Sequence, residues 1–175
     1  MTRTEQIALM ASYNQWMNRK VYEAAGGLSD EDLITDRGAF FGSILGTLNH
    51  LALGDRVWLK RFAKHPAGFA ALAPLSPVES PPRLDHLAFA NIRELAAHRA
   101  WLDQIIIEWA QSISEAQLDQ PLQYRNMAGT AMSKNFHALL IHFFNHQTHH
   151  RGQVTTLLTQ AGRDVGDTDL LALMD

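Results

Sequence analysis

The sequence predicts an all-α protein, a single four-helix bundle over residues 1–175. Two observations carry that expectation. Four long stretches place apolar residues at helical spacing. A long connection rich in proline separates the second stretch from the third, an arrangement that suits helices packed on helices around one core. A chain of 175 residues, 46% hydrophobic and 19% charged, fills one core well and is too short for two comfortable domains.

Segment one is expected from about Thr4 to Ala25, with Ile7, Met10, Asn14, Met17, Val21 and Ala25 along one stripe, and Gly26-Gly27 ends it. Ser29-Asp30-Glu31-Asp32 reads as the capped start of a short helix reaching about Ile34. Segment two is expected from about Phe41 to Ala63, with a core face of Phe41, Ile44, Leu45, Leu48, Leu51, Trp58 and Phe62. The stretch 65–82 holds five of the six prolines, so it is expected to be irregular, and its length suits a flap.

Segment three is expected from about Leu84 to Ile113, apolar at Leu87, Leu95, Leu102, Ile105 and Trp109. Ser114-Glu115-Ala116-Gln117 then has the form of a capping box opening a short turn. From Pro121 to Thr130 the helical period breaks, and the Ala128-Gly129 turn permits a small hairpin. Segment four runs from about Ser133 to Ala161 and stops at Gly162, with one last short helix expected within 167–174.

The bulk numbers exclude several functions. The formal net charge is −3 with no basic block, so no nucleic-acid surface is expected. No apolar run approaches the roughly 20 residues that span a bilayer, and the N-terminus lacks a signal-peptide core, so no membrane partner and a cytoplasmic setting are expected. There is no cysteine. Any metal must therefore be held by His, Asp or Glu, and any thiol must arrive with a substrate.

The chemistry concentrates in segment four. Four of the nine histidines fall in the nine residues from His142 to His150. His146 and His150 stand one helical turn apart, close enough to share an ion. On a wheel of about 100° per residue, Phe136, Leu140, Phe143, Val154, Leu157, Leu158 and Ala161 define the apolar face. His150 lies inside that face, His146 at its edge, His142 further round and His149 nearly opposite. Two histidines do not close a metal site, because three protein ligands are usual. His50 is the best third candidate, since Gly42, Gly46 and Gly54 recur at intervals of four around it, as if something bulky needs room. Close helix–helix contact explains the same glycines.

Gln147 stands where a zinc protease would carry its glutamate base, so peptide hydrolysis by that route is not expected. Segment four has no carboxylate before Asp164, which weakens a di-iron reading. Asn14, Asn91 and His98, with Glu94 nearby, fall on faces expected to be buried and could line a polar cavity with His142. His65, His86 and His137 read as surface residues, while Tyr13, Trp16, Trp58, Trp101 and Trp109 read as core or helix-contact residues.

With these residues in view, the chain resembles the DinB/YfiT-like family of metal-binding four-helix proteins over essentially its full length. The resemblance rests on Tyr13-Asn14-Gln15-Trp16-Met17-Asn18, on Asn49-His50-Leu51 and on the run from Asn145 to Gln153 with its His-His-Arg-Gly-Gln end. It implies an up-down-down-up bundle with a long crossover, metal ligands at His50, His146 and His150, zinc or nickel as the ion, and a homodimer. It further implies a small-molecule substrate and a metal-dependent thiol transferase or thiol-dependent isomerase using a low-molecular-weight thiol. A metal-dependent hydrolase and a non-catalytic, stress-associated bundle with a structural metal are the competing expectations.

Overall fold

Each long helix begins at a side chain that satisfies backbone N–H groups left free by the first turn. The Thr2 hydroxyl accepts from the Glu5 N–H while the Glu5 carboxylate accepts from the Thr2 N–H, closing a capping box. Ser43, Asn91 and Asn135 do the same work for the later helices, accepting from Gly46, from Arg93 and Glu94, and from Ala138. In the computed structural model, which describes residues 1–174, the elements run α1 (Arg3–Gly26), α2 (Asp30–Ile34), α3 (Ile44–Phe62), α4 (Ile92–Gln111), α5 (Glu115–Leu118), β1 (Pro121–Arg125), β2 (Ala131–Asn135) and α6 (Phe136–Gln160). Short 3-10 helices occupy Ala70–Leu75 and Leu170–Leu173. Among the described residues no helix is long and apolar enough to cross a membrane.

Side-chain contacts fix the direction of every long helix. Arg3, at the start of α1, pairs with Glu115 and Asp119 beyond the end of α4, and Asn18 meets Asp103 further back, so α1 and α4 are antiparallel. Asn14 meets Arg151, and Gly27 meets Arg163, so α1 and α6 are parallel. His50 faces His150 while Phe62 faces Phe136, which makes α3 antiparallel to α6. Asp55–Arg99 and Phe62–Trp109 contacts make α3 parallel to α4. The order is up-down-down-up. The parallel neighbours α3 and α4 need a connection that returns the full length of the bundle, which is why residues 63–91 are so long.

At one end of the bundle Phe62, Trp109, Phe136 and Phe143 are fully buried, with ring centroids 4.9–6.3 Å apart. Each such side chain stabilises the fold by about 1.5–3 kcal/mol through loss of apolar surface from water. His65 packs into this cluster, 4.4 Å from the Phe136 ring, and is 2% exposed. It was expected on the surface; the aromatic end of the bundle captures it because the chain turns inward after Phe62. His86 is exposed, and His137 is half-buried. The β1–β2 hairpin pairs Pro121 with Asn135 through Arg125 with Ala131, and Gly129 (φ 80°) supplies the left-handed residue of its turn.

Three boundaries differ from the sequence reading. Helix α3 starts at Ile44, so Gly42 lies outside it, in a tight turn at φ 73° where its N–H donates to the Ala39 carbonyl. Only Gly46 and Gly54 of the glycine strip are helical. Helix α4 starts at Ile92, not near Leu84; Leu87 is 53% exposed and does not belong to its core face. The proline-rich connection is irregular as expected but not loose, for Phe69, Leu72 and Leu75 are buried in it. Helix α6 starts at Phe136 because residues 131–135 pair as the second hairpin strand.

Candidate metal centre

Helices α3 and α6 bring His50, His146 and His150 to one point, where one ring nitrogen from each lies within 4.8 Å of the other two. His50 Nε2 is 3.2 Å from His146 Nε2 and 3.2 Å from His150 Nε2. Two nitrogen donors about 2.05 Å from a tetrahedral ion stand about 3.3 Å apart, so the spacing fits a shared divalent ion.

The hydrogen bonds on the far side of each ring decide what these nitrogens offer. His50 Nδ1 lies 3.0 Å from the Leu84 carbonyl oxygen, which can only accept, so the proton of the neutral ring sits on Nδ1. His150 Nδ1 lies 2.7 Å from Gln153 Oε1, while the Gln153 amide nitrogen faces His149 Nε2 at 3.4 Å. That orientation makes His150 Nδ1 a donor as well. Both Nε2 atoms are therefore bare lone pairs facing each other, an arrangement that a cation between them would satisfy. Partners of this kind are what ligating histidines require.

The rings are also held neutral. Burial pulls His146 down to about 3, with the neighbouring His150, His50, His142 and His149 adding to the effect. Burial lowers His50 too, opposed by the Leu84 carbonyl and assisted by His150. For His150 burial again leads, against the pull of Gln153. Neutral imidazole is the form that ligates.

Local packing makes room for this cluster. A Cβ on Gly54 would lie 3.2 Å from His146 Cε1, so the missing side chain is the space that His146 occupies. A Cβ on Gly46 would stand 2.2 Å from the Phe41 carbonyl oxygen; its absence lets the Phe41 backbone approach α3. The Phe41 ring then stacks on His50 at a centroid distance of 3.8 Å and meets His150 edge-on at 5.5 Å. His50 is buried, while His146 and His150 are half-buried and reachable from solvent.

The sequence matches the DinB family over residues 1–175. This chain belongs to the DinB family. It is 30% identical over 158 residues to Protein DinB of Bacillus subtilis (strain 168), covering 90% of this chain and 87% of that one. No solved structure matches significantly.

The other polar candidates of this DinB-family chain go elsewhere. Asn91 is exposed and caps α4, and Glu94 is exposed beside it, so neither lines a cavity. Asn91 falls outside the helix because its cap starts α4 later than the apolar pattern suggests. His98 is half-buried between Phe89 and Trp101, at 4.9 and 5.3 Å, away from the trio. His142 is exposed, 5.1 Å from the Trp58 ring and 6.1 Å from that of His146, at the rim of the cluster. His149 is exposed as the wheel indicated. Asn49 binds both the N–H and the carbonyl of Phe89, clamping the end of the crossover, and touches no imidazole.

Asn14 belongs to a buried network that sequence reasoning missed. Its amide donates to Asp103, as does that of Asn18, and its carbonyl accepts from Arg151. Arg99 pairs with Asp55 and, at 3.0 Å, with Asp103. Gln147 lies against Asp55 and favours its ionised form, although neither amide atom makes a hydrogen bond of good geometry. Burial raises both Asp55 and Asp103 above the usual carboxylate range, and Arg99 pulls them back. Gln147 and Arg151 each follow a histidine of the trio by one residue. One signal was available: Arg99 and Asp103 stand four apart on a helix that is otherwise largely apolar.

Proposed function

We propose that this protein is a metal-dependent thiol S-transferase or detoxification enzyme that activates a small thiol at His50, His146 and His150. The observation that carries the reading is the pair of bare Nε2 lone pairs, each fixed by a partner on the opposite side of its ring. Zinc or nickel suits an all-imidazole donor set. Such an ion would lower the pKa of an incoming thiol and present it as thiolate. His50, clamped between Phe41 and Leu84, fixes the position of the centre; His150, tied to Gln153, fixes its orientation.

A hydrolase at the same place would need a base for water. Among the described residues no carboxylate hydrogen-bonds to any of the three rings, and Gln147 is buried and turned into the charged network. A thiol, whose pKa of about 8.5 lies far below that of water, asks less of the residues present. With no cysteine in the chain, that thiol comes from outside.

Turnover of metal-loaded protein with glutathione, bacillithiol or mycothiol and an alkylating electrophile tests the reading. Thiol-dependent product that disappears in His146→Ala is expected. Turnover independent of thiol would favour the hydrolase. Absence of turnover, with strong loss of melting temperature on chelation, would favour a metal that only joins α3 to α6.

A further inference from the structure

Helix α3 carries more than His50 on the side that faces the trio. Eleven residues is three turns plus about 20°, so Arg61 stands on the same side as His50, about 16 Å further along. The crossover runs back along this helix: the Val78 carbonyl accepts from Lys60, the Glu79 carbonyl from Arg56, and the Leu84 carbonyl from His50. Between the crossover at Pro81 and the hairpin turn at Asn126 lies a cleft of about 260 Å³, with α3 as its floor. Lys60, Arg61, Lys64 and Arg125 all line it. Among the described residues no carboxylate lines it, and none of these four cations makes a salt bridge. On a chain of net charge −3 this is a local excess of positive charge.

Arg61 is the most organised of the four. Its guanidinium lies 4.7 Å from the Trp58 ring and 5.1 Å from that of Tyr124, which hold it in place through their faces. None of its side-chain N–H groups donates to the protein among the described residues. A guanidinium fixed by aromatic rings with its donors free is prepared to bind a carboxylate or phosphate. The Trp58 ring continues toward the trio through His142.

We propose that this cleft binds the anionic end of the small-molecule thiol while its sulfur lies at the three histidines. That identity of the ligand rests on the thiol-transfer reading. After the reach of the arginine side chain, the remaining span is roughly 10 Å, the extended length of about three residues. The co-substrate is thus a thiol of tripeptide size that carries a carboxylate or phosphate, not free cysteine.

Calorimetric titration of the metal-loaded protein with glutathione, succinate and inorganic pyrophosphate tests this, with cysteamine as a thiol lacking an anion. Binding of glutathione and at least one small anion is expected, weakened about tenfold in Arg61→Gln and again in Arg125→Gln. Succinate against pyrophosphate tells carboxylate from phosphate preference. Anion binding that persists in His146→Ala while thiol turnover is absent throughout would keep the cleft and overturn the thiol chemistry. Turnover with cysteamine equal to that with glutathione, unmoved by Arg61→Gln, would overturn the cleft alone. Duplex DNA binding more tightly than any small anion would overturn it as well.

Discussion

Two polar clusters lie side by side on α6, and their chemistry is opposite. His146 and His150 turn their Nε2 atoms toward that of His50, while Gln147 and Arg151, one residue on, enter a network in which opposite charges pair with each other. One residue along the helix separates a place that could hold a cation from a place that already contains its own. The network draws residues from α1, α3, α4 and α6 and so specifies how the bundle goes together; the trio draws only on α3 and α6 and is free to serve a ligand. Buried ion networks cost desolvation and are weak evidence for stability as such, but removal of one partner leaves a charge stranded.

The contrast can be broken first at the network. Arg99→Ala leaves Asp55 and Asp103 buried without their cation and is expected to destabilise the fold by about 3–5 kcal/mol in denaturant titration. A loss below about 1 kcal/mol would place the pair effectively at the surface. Next comes the trio. Saturating zinc or nickel is expected to raise the melting temperature by about 10 °C, and His50→Ala should abolish that rise while leaving the metal-free melting temperature within a few degrees. A similar metal-induced rise in both proteins would mean that the ion binds elsewhere.

Gly54→Ala sharpens the same comparison, because it separates folding from binding. The helix itself gains about 0.5–1 kcal/mol from the substitution, but the new Cβ at 3.2 Å pushes against the His146 ring. Metal affinity is expected to fall about tenfold with folding stability unchanged or raised; a competition titration against a chromophoric chelator reads the affinity. Unchanged affinity would show that the ring has slack.

The smallest effect concerns pH. Burial, with Arg56 and Arg99 adding to it, draws His98 down to about 4 from an ordinary 6.5. Between those values the unfolded chain binds a proton that the folded one refuses, so stability is full above pH 6.5 and falls as pH drops toward 4. His98→Phe should flatten that part of the melting profile in metal-free protein; an unchanged slope would assign it to other groups.

The helices were legible because four apolar stripes repeat at helical spacing, and the meeting of His50 with His146 and His150 was legible because one helical turn aligns the pair and glycines flank the third. Several features were not. Asp55, Arg99 and Arg151 are charged, and charge in a sequence reads as surface; only the bundle's interior, where residues of four helices meet, makes them mutual partners. Phe41 and the Leu84 carbonyl, which cover and orient His50, lie in irregular backbone, although the apolar period had counted both residues into the flanking helices. Asn91 and Leu87 were placed on a helix face because the cap at Asn91 starts α4 eight residues later than the apolar pattern suggested. His65 follows the end of α3 beside a proline, a context typical of surface turns, and is buried only because a distant phenylalanine, Phe136, comes to meet it.

The central claim is that three imidazoles from two helices hold one ion. X-ray absorption at the metal edge of zinc- or nickel-loaded protein tests it most directly. Three imidazole nitrogens at about 2.0–2.1 Å in the wild type, with the ordered site lost in His50→Ala, are the predicted result. Fewer than three imidazoles, or an unchanged spectrum in His50→Ala, would contradict it.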